Sequence, residues 1–241
     1  MIRAAVLAGI VMAAIPATAQ EAPAAQIAAQ ADMMRKTWRT GDGRPASLQL
    51  RLFDRLLSFM LPTSFVITYQ AQSPNQFLVE YAPDGEGSAD WTRLVTIRAL
   101  KNIGAAPYTS GSIADRLFNP RESCPTGPLY RNLGERAYAP GITVTTIALG
   151  CASLPKGAYP DALAGAGEQD FVWLFRDSNN YYALKYSVRG PAWPIDEPPI
   201  PLADANRQLA RFSKVLLCSA AEDDPVCNRL LAFETARKST K

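Results

Sequence analysis

The segment from Phe171 to Val188 restricts this fold more than any other. Phe171 to Phe175 and Tyr181 to Val188 are two apolar runs, and Asp177-Ser178-Asn179-Asn180 between them is built from turn-forming residues. The pattern predicts a β-hairpin. Similar punctuation recurs along the chain. Phe65, Ile67 and Tyr69 alternate with Val66, Thr68 and Gln70, and Phe77, Val79 and Tyr81 alternate with Leu78, Glu80 and Ala82, with Ser73-Pro74-Asn75 as the turn. Trp91 to Leu100 carries Val95, Ile97 and Ala99 on one face, a further strand, and Tyr130 to Tyr138 pairs with Ile142 to Leu149 across Pro140-Gly141. Leu56 to Leu61 is apolar except for Ser58 and stops at Pro62. Ile113 to Phe118 reads as a short helix. Leu202 to Leu217 places Leu202, Ala205, Leu209, Phe212 and Leu216 on one helical stripe. The expected class is α+β: an antiparallel sheet of hairpins, with one helix mid-chain and a C-terminal helix packed on it.

The N-terminus has a different character. Arg3 is the only charge before Glu21, the 12 residues Ala4 to Ile15 are apolar apart from no more than small side chains, and Ala17-Thr18-Ala19 follows Pro16. A positive start, a short apolar run and an A-x-A site predict a secretory signal over residues 1–19, cut after Ala19. The run is shorter than the roughly 20 residues needed to span a bilayer. Residues 20–46 form a loose or helical leader, 47–228 a single domain, and 229–241 a basic tail with Arg237, Lys238 and Lys241. The expected location is periplasmic or secreted, with no transmembrane segment.

Four cysteines follow the leader, and an even number in an exported chain favours disulfides. Cys124 follows a predicted helix and Cys151 ends a predicted strand. Cys218 ends the predicted C-terminal helix, and Ser219 to Val226 is long enough to return Cys227 to it. The favoured pairing is Cys124–Cys151 and Cys218–Cys227, each stabilising the fold by roughly 3 to 4 kcal/mol in a chain-entropy model. No C-x-x-C pair is present, which argues against zinc.

The chain has no histidine, which removes imidazole acid–base catalysis, Ser–His and Cys–His nucleophile pairs and imidazole metal ligands. The formal net charge of +3 is too small for the basic face of a nucleic-acid binder. Neither a cofactor nor a metal site is expected. Asp84, Glu86 and Asp90 cluster in a Gly-rich acidic loop, where exposure would leave them ordinary acids. Ser213-Lys214 lacks the S-x-x-K spacing of a Ser–Lys pair.

The pattern Phe59-Met60-Leu61-Pro62, then Phe65, then Trp91 to Ile97, resembles an uncharacterised family of secreted proteobacterial proteins, as does Asn180 to Gly190. The order of elements over about residues 50 to 220 is similar to the Mog1/PsbP-like fold. That resemblance implies a binding or assembly module; its motifs are not catalytic and carry no active residues across. The chain lacks the lipid-attachment cysteine of the lipoprotein members.

Five residues are candidate binding positions, each with a structural alternative. Trp91 and Arg93 follow the acidic loop and form either a rim under a lid or a core strand start. Tyr182 and Lys185 lie with Trp173 on the hairpin and either contact a sugar, peptide or acyl chain or serve as cross-strand pairs. Trp193, in Pro191-Ala192-Trp193-Pro194, stands outside regular structure and either caps the sheet edge or meets a partner; partial exposure is expected. The expected function is an exported, non-catalytic binding or assembly module of the cell envelope, whose partner is an envelope protein or small ligand. The alternatives are a periplasmic carboxylate-dependent hydrolase and a carrier of an apolar ligand.

Overall fold

A computed structural model describes residues 20–40, 45–87, 90–103, 109–118, 124, 127–155, 165–212, 215–219 and 227. Residues 1–19, expected to be a secretory signal, and the expected basic tail, 229–241, lie outside the described residues. Strands β1 (Gln20–Glu21), β4 (Phe65–Ser73), β5 (Gln76–Pro83), β6 (Arg93–Leu100), β7 (Pro128–Ala139), β8 (Ile142–Cys151), β9 (Ala166–Arg176) and β10 (Tyr181–Pro191) form one sheet in the order β1-β4-β5-β6-β10-β9-β8-β7. A second sheet holds β2 (Ala46–Leu52), β3 (Arg55–Leu61) and β11 (Leu216–Ser219), with β3 in the centre. Every pairing is antiparallel.

The large sheet is covered on both faces. Side chains alternate along a strand, so Tyr182, Leu184 and Tyr186 of β10 point one way and Tyr181, Ala183 and Lys185 the other. The first set joins Val79, Ile97, Phe171 and Phe175 in a core that also takes Leu57, Phe59 and Leu61 from the small sheet. The second set meets Ile113, Ala114 and Leu117 of helix α2 (Ser110–Phe118), together with Val172 and Leu174. Burial on both faces explains why Tyr181-Tyr182-Ala183-Leu184 reads as an unbroken apolar run.

Two features differ from the expectation. The molecule is mostly β, with two sheets where one was expected, so the α+β reading holds only loosely. The leader, read as loose or helical, contains a helix, α1 (Ala24–Thr40). Ile27, Ala31, Met34 and Trp38 recur on its buried side at helical spacing, and Trp38 Nε1 donates to Phe65 O at 2.8 Å. The C-terminal helix stops early: a 3-10 turn (Leu202–Asp204), α3 (Ala205–Leu209) and a 3-10 turn (Ala210–Phe212) end before the strand β11. Ala205, Leu209 and Phe212 are buried as the stripe requires. Leu216-Leu217-Cys218 instead lies opposite Ser58-Leu57-Leu56, because the open edge of β3 offers backbone partners that a solvent-facing helix end does not.

Both disulfides have the expected pairing. Cys124–Cys151 and Cys218–Cys227 span Cα–Cα distances of 5.3 and 5.8 Å. Cys218 reaches its partner from a strand, not from a helix end.

Candidate functional site

Two regions of the β9–β10 hairpin concentrate the chemistry. The first is an ionic patch under α2. Register places Lys185 beside Thr96 of β6, and Thr96 beside Glu80 of β5. Ser187 pairs with Asp170, and Arg189 with Glu168. Residues opposite one another in an antiparallel ladder share a face, so these side chains converge. Lys185 Nζ lies 3.3 Å from Asp170 Oδ1 and 3.7 Å from Glu168 Oε1. Arg189 Nε donates to Glu168 Oε2 at 2.9 Å, and its guanidinium stacks 3.5 Å from the centre of the Trp91 ring. Phe118, the last residue of α2, covers Lys185 at 5.3 Å, and Arg98 donates to Leu117 O at the same helix end. A cation at a helix C-terminus complements the exposed carbonyls there.

Charge in this patch is nearly enclosed: Lys185 is 8% exposed and Asp170 7%. Burial pushes the Asp170 carboxyl up to about 6, against the pull of Lys185. Burial likewise raises Glu80, again opposed by Lys185. Lys185 is disfavoured by its own burial, yet Asp170, Glu168 and Glu80 together hold it above its ordinary value. The asymmetry has a simple cause, since one ammonium faces three carboxylates and each carboxylate shares it. Burial lowers Arg98, with Glu80 opposing. Among the described residues Lys185 and Asp170 are nearly enclosed, while Glu80, Glu168 and Arg189 are partly buried around them.

The second region is the strap that follows β10. Trp193 N donates to Ala152 O at 3.1 Å and Ala192 N to Gly165 O at 3.0 Å. The half-buried indole lies on a floor of two glycines. A Cβ at Gly167 would stand 2.4 Å from Trp193 Nε1, and one at Gly150 3.3 Å from Cζ2. Only residues without a side chain admit the ring so close. The buried indole N–H has no acceptor among the described residues. Further on, Gln169 clamps both backbone groups of Ile200, its Nε2 donating to the carbonyl at 2.8 Å and its Oε1 accepting from the amide at 3.0 Å. Between these two anchors, Glu197 N donates to Pro194 O and closes a turn. Pro194, Asp196 and Glu197 are exposed, and Ile195 at 41% is one of few exposed large apolar side chains among the described residues.

The structure joins two of the candidate positions and separates the others. Trp91 and Lys185 belong to one network through Arg189 and Glu168. Trp91 is core, 3% exposed. Arg93 is exposed, 5.8 Å from the Phe65 ring. Tyr182 is fully buried, and its hydroxyl accepts from Asn180 Nδ2 at 2.9 Å and lies 3.3 Å from both Asp54 and Asp177. Burial, with those two carboxylates, raises its phenol well above the usual range. Tyr182 thus ties the hairpin turn to the β2–β3 turn, where Arg55 pairs with Asp177 at 3.1 Å. The acidic loop closes on itself: Glu86 accepts from Thr92 N and Oγ1, and Asp90 from Gly87 N. No group of three or more acidic or thiol side chains is arranged for a metal among the described residues.

No family model matches this chain, and no curated protein does. Glu168 and Asp170 were not singled out from sequence. Their only signal was two acids at i, i+2 before an apolar strand, with the cations Lys185 and Arg189, four residues apart, on the following strand. Gly150 and Gly167 carried no signal of their own, because their role appears only when Trp193 lands on them.

Proposed function

We propose that this chain is an exported, non-catalytic binding or assembly module of the cell envelope, docking through the turn Pro194 to Glu197. The observation that supports this most is an apolar tip, Ile195, held out by a strap anchored at both ends, at Trp193 and at Ile200. An anchored turn loses little freedom on binding, so more of the contact energy survives as affinity. Pro191, Ala192 and Pro194 widen the apolar surface, and Asp196 and Glu197 border it with negative charge. The fitting partner is a protein with an apolar pocket rimmed by Lys or Arg. The two disulfides suit an oxidising compartment, and no helix among the described residues is long and apolar enough to cross a membrane. The Mog1/PsbP-like resemblance points to the same class of role.

A photo-crosslinking residue at position 195, expressed in the native envelope, tests the reading. One discrete adduct is expected at 195 and none at Gln76, an exposed turn position on β5. Ile195→Asp, in a chain carrying the crosslinker at 194, should abolish it. Equal labelling at both positions would overturn the docking surface.

The hydrolase alternative draws on one observation, the buried carboxyl of Asp170 beside Glu168 and Lys185. It requires wild-type turnover of cell-wall fragments that Asp170→Asn abolishes.

A further inference from the structure

The strap is anchored on the residues that flank one disulfide. Trp193 N donates to Ala152 O at 3.1 Å, and the indole rests on Gly150. Cys151 lies between those two contacts and is bridged to Cys124. It is also the last residue of β8, so the chain leaves the sheet directly after it. In that last rung its neighbour on β7 is Pro128, which has no N–H to give, and its neighbour on β9 is Glu168. Beyond Cys151, Leu154 N donates to Ala166 O at 2.7 Å, and Leu154 and Ala166 pack with the two bridged cysteines. Pro191 lies opposite Ala166 in the β9–β10 ladder, and Ala192 N donates to Gly165 O. One small cluster, closed by the bridge, thus carries the first anchor of the strap. The second anchor is of another kind, the side-chain clamp of Gln169 on the backbone of Ile200.

We infer that the Cys124–Cys151 bridge is a redox latch that arms the docking strap, an inference that rests on docking through Pro194 to Glu197. The bridge fixes the chain on both sides of Cys151, and with it the carbonyl that holds Trp193 and the glycine under the ring. With both thiols reduced, the strap keeps only its clamp at Ile200. A turn held at one end must be ordered when a partner binds, and that lost freedom is subtracted from affinity. The chain is therefore a weak binder in a reducing compartment and a strong one after oxidation. Closing the latch needs a disulfide oxidant. One cysteine thiolate attacks a sulfur of the oxidant's disulfide, the oxidant's S–S bond breaks, and one of its thiolates leaves. The other cysteine thiolate then attacks the mixed disulfide, the Cys124–Cys151 bond forms, and the second thiolate leaves. The two cysteines lose two electrons and two protons, and the oxidant becomes a dithiol. Cys124 and Cys151 are 3% and 6% exposed, so the folded chain shields the closed bridge from further exchange.

Hydrogen exchange on the purified chain tests the latch. With Cys124→Ser and Cys151→Ser together, the amides of Ala192 and Trp193 should exchange about tenfold faster or more, while that of Ile200 keeps its wild-type rate. Cys218→Ser with Cys227→Ser opens the bridge beside Leu56 instead and should leave Ala192 and Trp193 near wild type. Unchanged rates at Ala192 and Trp193 would overturn the latch, and so would equal acceleration at all three amides, which marks a general loss of stability. Should the serine chain not fold, Cys124→Ala with Cys151→Val, apolar replacements suited to that buried cluster, is read in the same way. The crosslinker at position 195 gives the functional readout. Its adduct should fall about tenfold without the Cys124–Cys151 bridge and persist without the other. An adduct as strong without the bridge as with it overturns the latch alone, whereas no adduct from the wild-type chain overturns docking itself.

Discussion

The two faces of the β9–β10 pair are buried to a similar depth by different means. Toward the small sheet, Phe171, Phe175, Leu184 and Tyr186 pack on apolar neighbours. Toward the end of α2, Lys185, Asp170 and Glu168 are covered as ions. Apolar packing is non-directional and tolerates exchange of one side chain for another of similar volume. An ionic patch must satisfy every charge at once, because a single unpaired ion in a covered site is costly. Apolar packing therefore supplies stability on both faces, and the ionic patch adds a fixed place on the sheet for the end of α2, already packed through Ile113, Ala114 and Leu117, by way of Arg98 and Phe118.

The largest effect should come from the apolar face. Phe171→Ala removes a fully buried ring and should lower stability by about 3 to 5 kcal/mol, read by denaturant unfolding. A loss under 1 kcal/mol would break the comparison. On the ionic face, Lys185→Met should cost about 3 to 5 kcal/mol by stranding Asp170, while Glu168 keeps Arg189. The distinguishing result is recovery: Lys185→Met with Asp170→Leu should be more stable than Lys185→Met alone, whereas no second apolar change should rescue Phe171→Ala in this way.

The Cys124–Cys151 bridge, closed over a separation of 27 residues, should contribute about 2 to 5 kcal/mol when both cysteines become Ser. Gly167→Ala drives a methyl against Trp193 and should cost about 1 to 3 kcal/mol while reducing crosslinking from position 195. Unchanged stability and crosslinking would show that the glycine floor does not hold the strap.

The smallest effect is a pH dependence confined to the ionic face. The folded state raises Asp170 from 3.8 to about 6, so it binds that proton more tightly than the unfolded chain does. Its contribution to stability is complete below 3.8 and is lost as the pH rises through about 6. Glu80 adds in the same direction. Melting temperatures of wild type and Asp170→Asn should diverge across that interval, with the wild type losing more stability as pH rises. Parallel curves would remove Asp170 as a titrating group.

Local pattern determined much of this molecule. Apolar alternation and turn residues were enough to place β4 to β10 within a few positions, because a hairpin is specified by contiguous residues. Cysteine parity and spacing were enough for both bridges. The helical stripe through Ala205, Leu209 and Phe212 was legible for the same reason. The sequence was silent where an element depends on a distant partner. Leu216 to Ser219 is a strand only because β3 lies beside it, 162 residues from Cys218 back to Leu56. A run such as Val215-Leu216-Leu217 fits helix and strand equally well until that edge is present. The candidate sites divide in the same way. Trp193 stood out locally as an aromatic between prolines, and it is half-buried as expected. Its glycine floor, the sharing of Lys185 among three carboxylates, and the use of Tyr182 as a tie between two turns were decided by tertiary structure, since each depends on which strands become neighbours and which face each side chain takes.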